Sequence, residues 1–155
     1  MFPYADDPAY NAFILNILAQ ETVYSLSLHG ETAECPSEVY DDEQGEPLPV
    51  FCVWQSAAKA RACRSAEWAD FQVEAVTLND FLHDWLIGFD QNEVLVGVDF
   101  DADLFGMEIE PVELLGDILD AAAQNRQTHL IDQYDDLMAY RLEWERLMAG
   151  QKHLN

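Results

Sequence analysis

Positive charge is what this sequence has least of. Seven Lys and Arg stand against 30 Asp and Glu, and neither basic type occurs before Lys59 or between Arg64 and Arg126. Binding to nucleic acid or to an anionic membrane depends on Lys and Arg displacing counterions, so neither partner is expected. Cysteine is scarce and odd in number. Cys35, Cys52 and Cys63 form no Cys-x-x-Cys pair, which predicts reduced thiols in a cytoplasmic protein rather than a disulfide frame. Long apolar runs are also missing: AYNAFILNILAQ is the longest uncharged one, well short of the roughly 20 residues that span a bilayer. MFPYADDPAY carries two Asp where a signal peptide needs apolar residues, so export is not expected. Gly-rich phosphate loops, nucleophile elbows and HExxH are absent. No catalytic residue and no cofactor is assigned.

What is present is enough for a folded body. Half the residues are hydrophobic and 12% are aromatic, far from the composition of disorder. A chain of 155 residues suits one domain that buries roughly 70% of the surface exposed when unfolded. Asp7-Pro8 and the recurrence of Tyr10, Phe13, Ile14, Ile17 and Leu18 predict a helix over 8–20. Tyr24, Leu26 and Leu28 alternate with serines as in a strand, turned by His29-Gly30. The mixed acids of 31–47 predict a poor strand around Val39 and Tyr40 and an exposed loop. LPVFCVW reads as a strand buried on both faces, and Ser56 caps an Ala-rich helix after it.

FQVEAV alternates as a strand. TLNDFLHDWL is a helix capped by Thr77 or Asn79, with Phe81, Leu82, Trp85 and Leu86 inward and Gly88 at its end. EVLVGVD and FGMEIE predict two more strands, and Pro111 opens a helix that buries Val112, Leu114, Leu115, Ile118 and Leu119. A last helix over 129–148 carries Ile131, Tyr134, Met138 and Leu142 on one side, to pack on the domain or on a second copy. The expected fold is α+β, a mixed or antiparallel sheet of about five strands packed with four to five helices. Residues 1–155 form one domain, with the acidic loop 31–47 and the final helix as elaborations.

The ordered series Trp54, Glu67-Trp68, Leu78, Phe81, Leu82, Trp85, Leu86, Val94 to Val98, Gly106, Pro111 and Leu114 resembles a bacterial family catalogued as domain of unknown function 2750. The resemblance covers about 48–120. It implies a small cytoplasmic α+β domain with Phe81 and Trp85 as core positions, and no established activity.

Five features carry candidate chemistry. DFDADLFGMEIE, Asp99 to Glu110, has the acidic spacing of a calcium loop, but Leu104 stands where the turn needs Gly and the flanks read as strands. What survives is a cation site of Asp99, Asp101 and Asp103 at a hairpin tip. His83 beside Asp84 and near Asp80 suits a carboxylate-oriented imidazole, against the plainer reading of a surface histidine; His29, His129 and His153 have still less around them. Cys63 between Arg61 and Arg64 is either an activated thiolate or a buried thiol. Lys59, Arg61 and Arg64 pair with nearby acids or dock on the acidic face of a second copy, which would make a homodimer. Asp41, Asp42 and Glu43 are the candidate contacts for a basic protein partner. The functional expectation is a non-catalytic interaction or immunity-type module that neutralises that partner. The alternatives are a hydrolase or transferase using unrecognised carboxylates and an acidic DNA mimic.

Overall fold

The computed structural model describes residues 2–154, with side chains to Gln151. Helix α1 (Pro8–Gln20) starts where expected, because the Asp7 carboxylate accepts from the Tyr10 amide at 3.1 Å and Pro8 needs no partner in the first turn. Strand β1 (Thr22–Leu28) pairs antiparallel with β5 (Gln72–Thr77), from Thr22 opposite Thr77 to Ser27 opposite Gln72. Strand β2 (Glu31–Thr32) completes this three-stranded sheet. A second sheet runs β3 (Glu34–Asp41), β4 (Pro47–Val53), β6 (Leu95–Val98), β7 (Met107–Ile109), with β4 and β6 parallel and the other pairs antiparallel.

The fold is therefore α+β as expected, but its strands form two sheets rather than one. Ala33 is the reason. Its amide donates to Leu26 O at 2.9 Å, its carbonyl accepts from Cys52 N at 3.1 Å, and one sequence run thus serves β1 before it and β4 after it. Alternation records which side chains face inward and not which neighbour a backbone pairs with. Residues 31–47, expected as a loop around a poor strand, carry β2 and the eight-residue β3. There the acids face water while the backbone pairs with apolar β4.

Trp54 holds the two sheets together. Tyr24 and Trp54 exchange backbone hydrogen bonds of 2.9 and 2.8 Å, and the indole N–H donates to Phe100 O at 2.8 Å. On one side of β4 lie Leu26, Val50, Cys52, Trp54, Trp68 and Phe100. On the other, α1, β6 and the helices bury Phe13, Ile14, Val53, Val96, Leu115 and Ile118. All four β6 residues are buried, which explains its continuous apolar run.

Ser56 caps α2 (Ala57–Ala62) and Thr77 caps α3 (Leu78–Asp80), each hydroxyl accepting from an amide three residues on at 3.1 Å. The helix then widens into a π turn (Phe81–Leu86) and continues as α4 (Ile87–Gln91), so it passes Gly88 instead of ending there. A single Gly costs a helix only about 1 kcal/mol, which packing overrides. Inside the π turn Phe81, Leu82 and Leu86 are buried but Trp85 is half-buried. An i→i+5 turn changes the angular spacing on which the 3.6-residue stripe relies, and Trp85 sits at the edge of the core, packed against it but half-buried.

Helix α5 (Pro111–Gln124) buries Leu114, Leu115, Ile118 and Leu119 completely. Helix α6 (Tyr134–Leu154) packs on it: Tyr134 OH donates to Leu119 O at 3.1 Å, and the Arg141 guanidinium meets both Asp120 oxygens at 2.8 Å. Ile131 precedes this helix and Leu142 faces solvent, so the expected stripe of Ile131, Tyr134, Met138 and Leu142 stops one turn early.

Asp117 of α5 is a carboxylate only 6% exposed, held by Tyr10 OH at 2.6 Å and Tyr4 OH at 3.1 Å. Burial pushes its pKa up, against the two hydroxyls that pull it down. The folded protein therefore holds the Asp117 proton to higher pH than the unfolded chain does. This group's stabilisation is complete below the ordinary Asp range and is lost as pH rises through the raised value. Thermal melts of the wild type should gain stability as pH falls from neutrality toward the ordinary Asp range. Asp117→Asn, which still accepts from Tyr10, should gain less, the remainder coming from relief of the net charge of −23. Equal pH slopes for the two proteins would show that Asp117 does not carry the effect.

Candidate interaction surface

The two acidic stretches singled out in the sequence lie on the second sheet: Asp41–Glu43 where β3 turns into β4, and Asp99–Asp103 in the loop from β6 to β7. The three aspartates of the loop do different things. Asp99, in the left-handed region that Asp tolerates (φ 51), accepts from Gln55 N at 3.0 Å and Gln55 Nε2 at 2.5 Å. Asp101 Oδ1 accepts from the amides of Asp103 at 2.9 Å and Phe105 at 3.1 Å, which shapes the loop. Asp103 is exposed. Among the described residues no three His, Cys, Asp or Glu are placed to hold a metal ion. Strand β7 begins only at Met107, so Phe105, expected to alternate inward with Met107 and Ile109, stays in the loop and is 65% exposed.

Of the acidic turn, Asp42 is structural. Its Oδ1 accepts from the amides of Gln44 and Glu46 at 2.9 Å each, and Asp41 and Glu43 stand free of that role, exposed. Just before the turn, Ser37 reshapes the edge strand. Its hydroxyl donates to Glu108 Oε1 at 2.5 Å and accepts from the amides of Val39 at 3.1 Å and Tyr40 at 2.9 Å. Glu108 Oε2 also accepts from Glu38 N at 3.2 Å, so one β7 carboxylate clasps the far edge of its own sheet. The register of β3 on β4 breaks between Pro36 and Asp41, as a bulge would break it.

The consequence is an apolar surface in water. Val39 is 71% exposed, Tyr40 and Leu104 are exposed as well, and with Phe105 all four line one depression of about 180 Å³ between β3 and the β6–β7 loop. Glu38 lies in it, and Asp41 and Asp103 adjoin it in sequence. Leu104 has φ 64, a conformation that costs a bulky residue roughly 1–2 kcal/mol. Sequence reading placed Phe105 in an alternating strand and did not single out Leu104 or Tyr40 as surface residues; the hydrogen bond from the Phe105 amide to Asp101, which holds Phe105 in the loop, is invisible in the sequence.

The histidine and cysteine candidates meet backbone carbonyls. His83 Nε2 meets Asp132 O at 2.7 Å rather than Asp80 or Asp84. His153 falls outside the described side chains. Cys63 is buried, donates to Phe100 O at 3.1 Å, and burial pushes its thiol up despite the flanking arginines. Cys35 and Cys52 are free thiols 4.0 Å apart. Lys59, Arg61 and Arg64 are exposed, and none of them forms an ion pair among the described residues. No helix among the described residues is long and apolar enough to cross a membrane. A family model described as protein of unknown function (DUF2750) matches residues 10–118. No curated protein and no solved structure matches the chain.

Proposed function

This chain belongs to the DUF2750 family, whose description assigns no function, and we propose that it is a cytoplasmic, non-catalytic interaction module that binds a basic protein partner. The observation that carries the reading is the exposure of Val39, Tyr40, Leu104 and Phe105 around one depression that Glu38 and Glu108 also line. Interfaces draw most of their affinity from a few central apolar or aromatic anchors. Charges around them steer encounter and select the partner's sign. An immunity-type role, neutralising a basic effector, is the form of this reading that the charge favours.

The test compares wild type with Phe105→Ser and with the pair Asp41→Asn, Glu43→Gln. A basic protein retained by wild type should bind Phe105→Ser about tenfold more weakly, a loss of about 1.4 kcal/mol. The pair of neutralised acids should slow association and reduce its salt dependence. Leu104→Gly should raise folding stability by up to about 1 kcal/mol, by relieving the left-handed strain, while weakening the complex. Capture of the same proteins by wild type and every variant would sink the reading.

A further inference from the structure

On the opposite flank of β4 a groove of about 1050 Å³ opens between the β2–β3 segment and the π turn with α4. Its floor is aromatic. Phe51 of β4 stacks flat on Phe89 of α4, centroids 5.0 Å and planes 4° apart, and Trp85 meets Phe89 edge-on at 6.0 Å. Phe51, Trp85 and Phe89 are only half-buried. Trp85, in the π turn, packs against the core and also lines this groove. Four exposed carboxylates line it, Glu31 and Glu34 from the β2–β3 segment, Glu67 and Asp84, and no Lys, Arg or His does. Among the described residues these four make no ion pair or side-chain hydrogen bond.

Each class of ligand meets that lining differently. An anion is repelled. A divalent metal needs several oxygens converging at 2.0–2.6 Å, and no such group is assembled among the described residues. A neutral apolar ligand would bury carboxylates without compensation. A compact ammonium head would use one carboxylate and leave most of a cavity at the upper end of the usual roughly 300–1,000 Å³ range unfilled. Dispersed negative charges over an apolar, π-rich floor suit a ligand in which positive charges alternate with methylene chains.

We propose that this groove binds a linear alkyl polyamine. Its ammonium groups donate to Glu31, Glu34, Glu67 and Asp84, as charge-assisted hydrogen bonds. Its methylene segments lie on Phe51, Trp85 and Phe89, where the ring faces also attract the neighbouring ammonium charge. This site is separate from the surface proposed to take a protein partner, and either can fail without the other.

Calorimetry on the full chain with spermidine tests it, against hexaamminecobalt(III) as a compact trication of the same charge, choline as a single ammonium, and a lysine-rich peptide, all at one ionic strength. Spermidine should saturate at one molecule per chain, about tenfold more tightly than hexaamminecobalt, and change tryptophan fluorescence. Replacing the four groove acids together (Glu31→Gln, Glu34→Gln, Glu67→Gln, Asp84→Asn) should weaken it by about tenfold or more. Removing the same charge at exposed sites elsewhere (Asp6→Asn, Glu46→Gln, Asp132→Asn, Asp136→Asn) should leave it within about twofold. Equal binding of the two trications, or equal losses in both variants, would reduce the effect to the general negative field and overturn the proposal. Binding of choline or the peptide with none of spermidine would overturn it as well.

Discussion

Trp54→Ala should lower the stability of this protein by about 3–5 kcal/mol. That is a large share of the 5–15 kcal/mol typical of a folded domain. The residue is fully buried, its backbone makes the bridge to Tyr24, and its ring meets Trp68 edge-on at 6.1 Å. Truncation leaves a cavity where the two sheets meet, and strands on both sides limit collapse into it. Urea unfolding should show the loss directly, and Tm should fall by roughly 10 °C or more. Trp54→Phe separates packing from polarity. It removes the donor to Phe100 O, yet Cys63 Sγ still donates to that oxygen at 3.1 Å, so about 1–2 kcal/mol is expected. A loss below about 1 kcal/mol for the alanine variant would mean that the seam of the sheets does not depend on Trp54.

Gly106→Ala should be the next most damaging single change, costing about 1–3 kcal/mol or somewhat more. A Cβ there would sit 2.4 Å from the Phe100 ring and 3.0 Å from both the Phe100 backbone and the Val98 carbonyl. The ring's far edge lies over Gly97, where an added Cβ would stand 2.9 Å from it. Two glycines thus flank one buried phenylalanine. Gly88→Ala is the natural control: nothing lies within 4 Å of its Cβ position, and helix propensity favours alanine there by about 0.5–1 kcal/mol. Denaturant melts should move the two variants in opposite directions. If Gly106→Ala melts like wild type, the close approach to Phe100 is not a constraint on the fold.

Gly106 also shows how far the sequence could be read. As a calcium-loop glycine it stands two residues late, and that mismatch correctly argued against a calcium loop. Its actual role is set by Phe100, six residues back, whose ring folds under the same loop. Trp85 is the complementary case. Helical spacing and the family resemblance both read it as core, and in the structure it is half-buried: it packs against the core and also lines the aromatic groove, within a π turn that alters the helical spacing. Asp117 left no trace at all, since one buried acid among 30 carries no mark in sequence order.

The sequence by itself determined the helix starts at Asp7, Ser56 and Pro111 and the α+β class, and narrowed one further start to Thr77 or Asn79, of which the structure uses Thr77. Each of these depends on residues within a turn or two of one another: a hydroxyl or carboxylate that reaches an amide three positions on, a proline that fits only the first turn, apolar side chains that alternate or recur. Only the tertiary structure decided that the strands divide into two sheets at Ala33, that Ser37 and Glu108 turn Val39 and Tyr40 out to water, and that four acids from three segments line one groove with Phe51 and Phe89. Those outcomes rest on contacts between residues far apart in the chain. Periodicity gives the side a residue faces, and backbone pairing alone gives what stands opposite it.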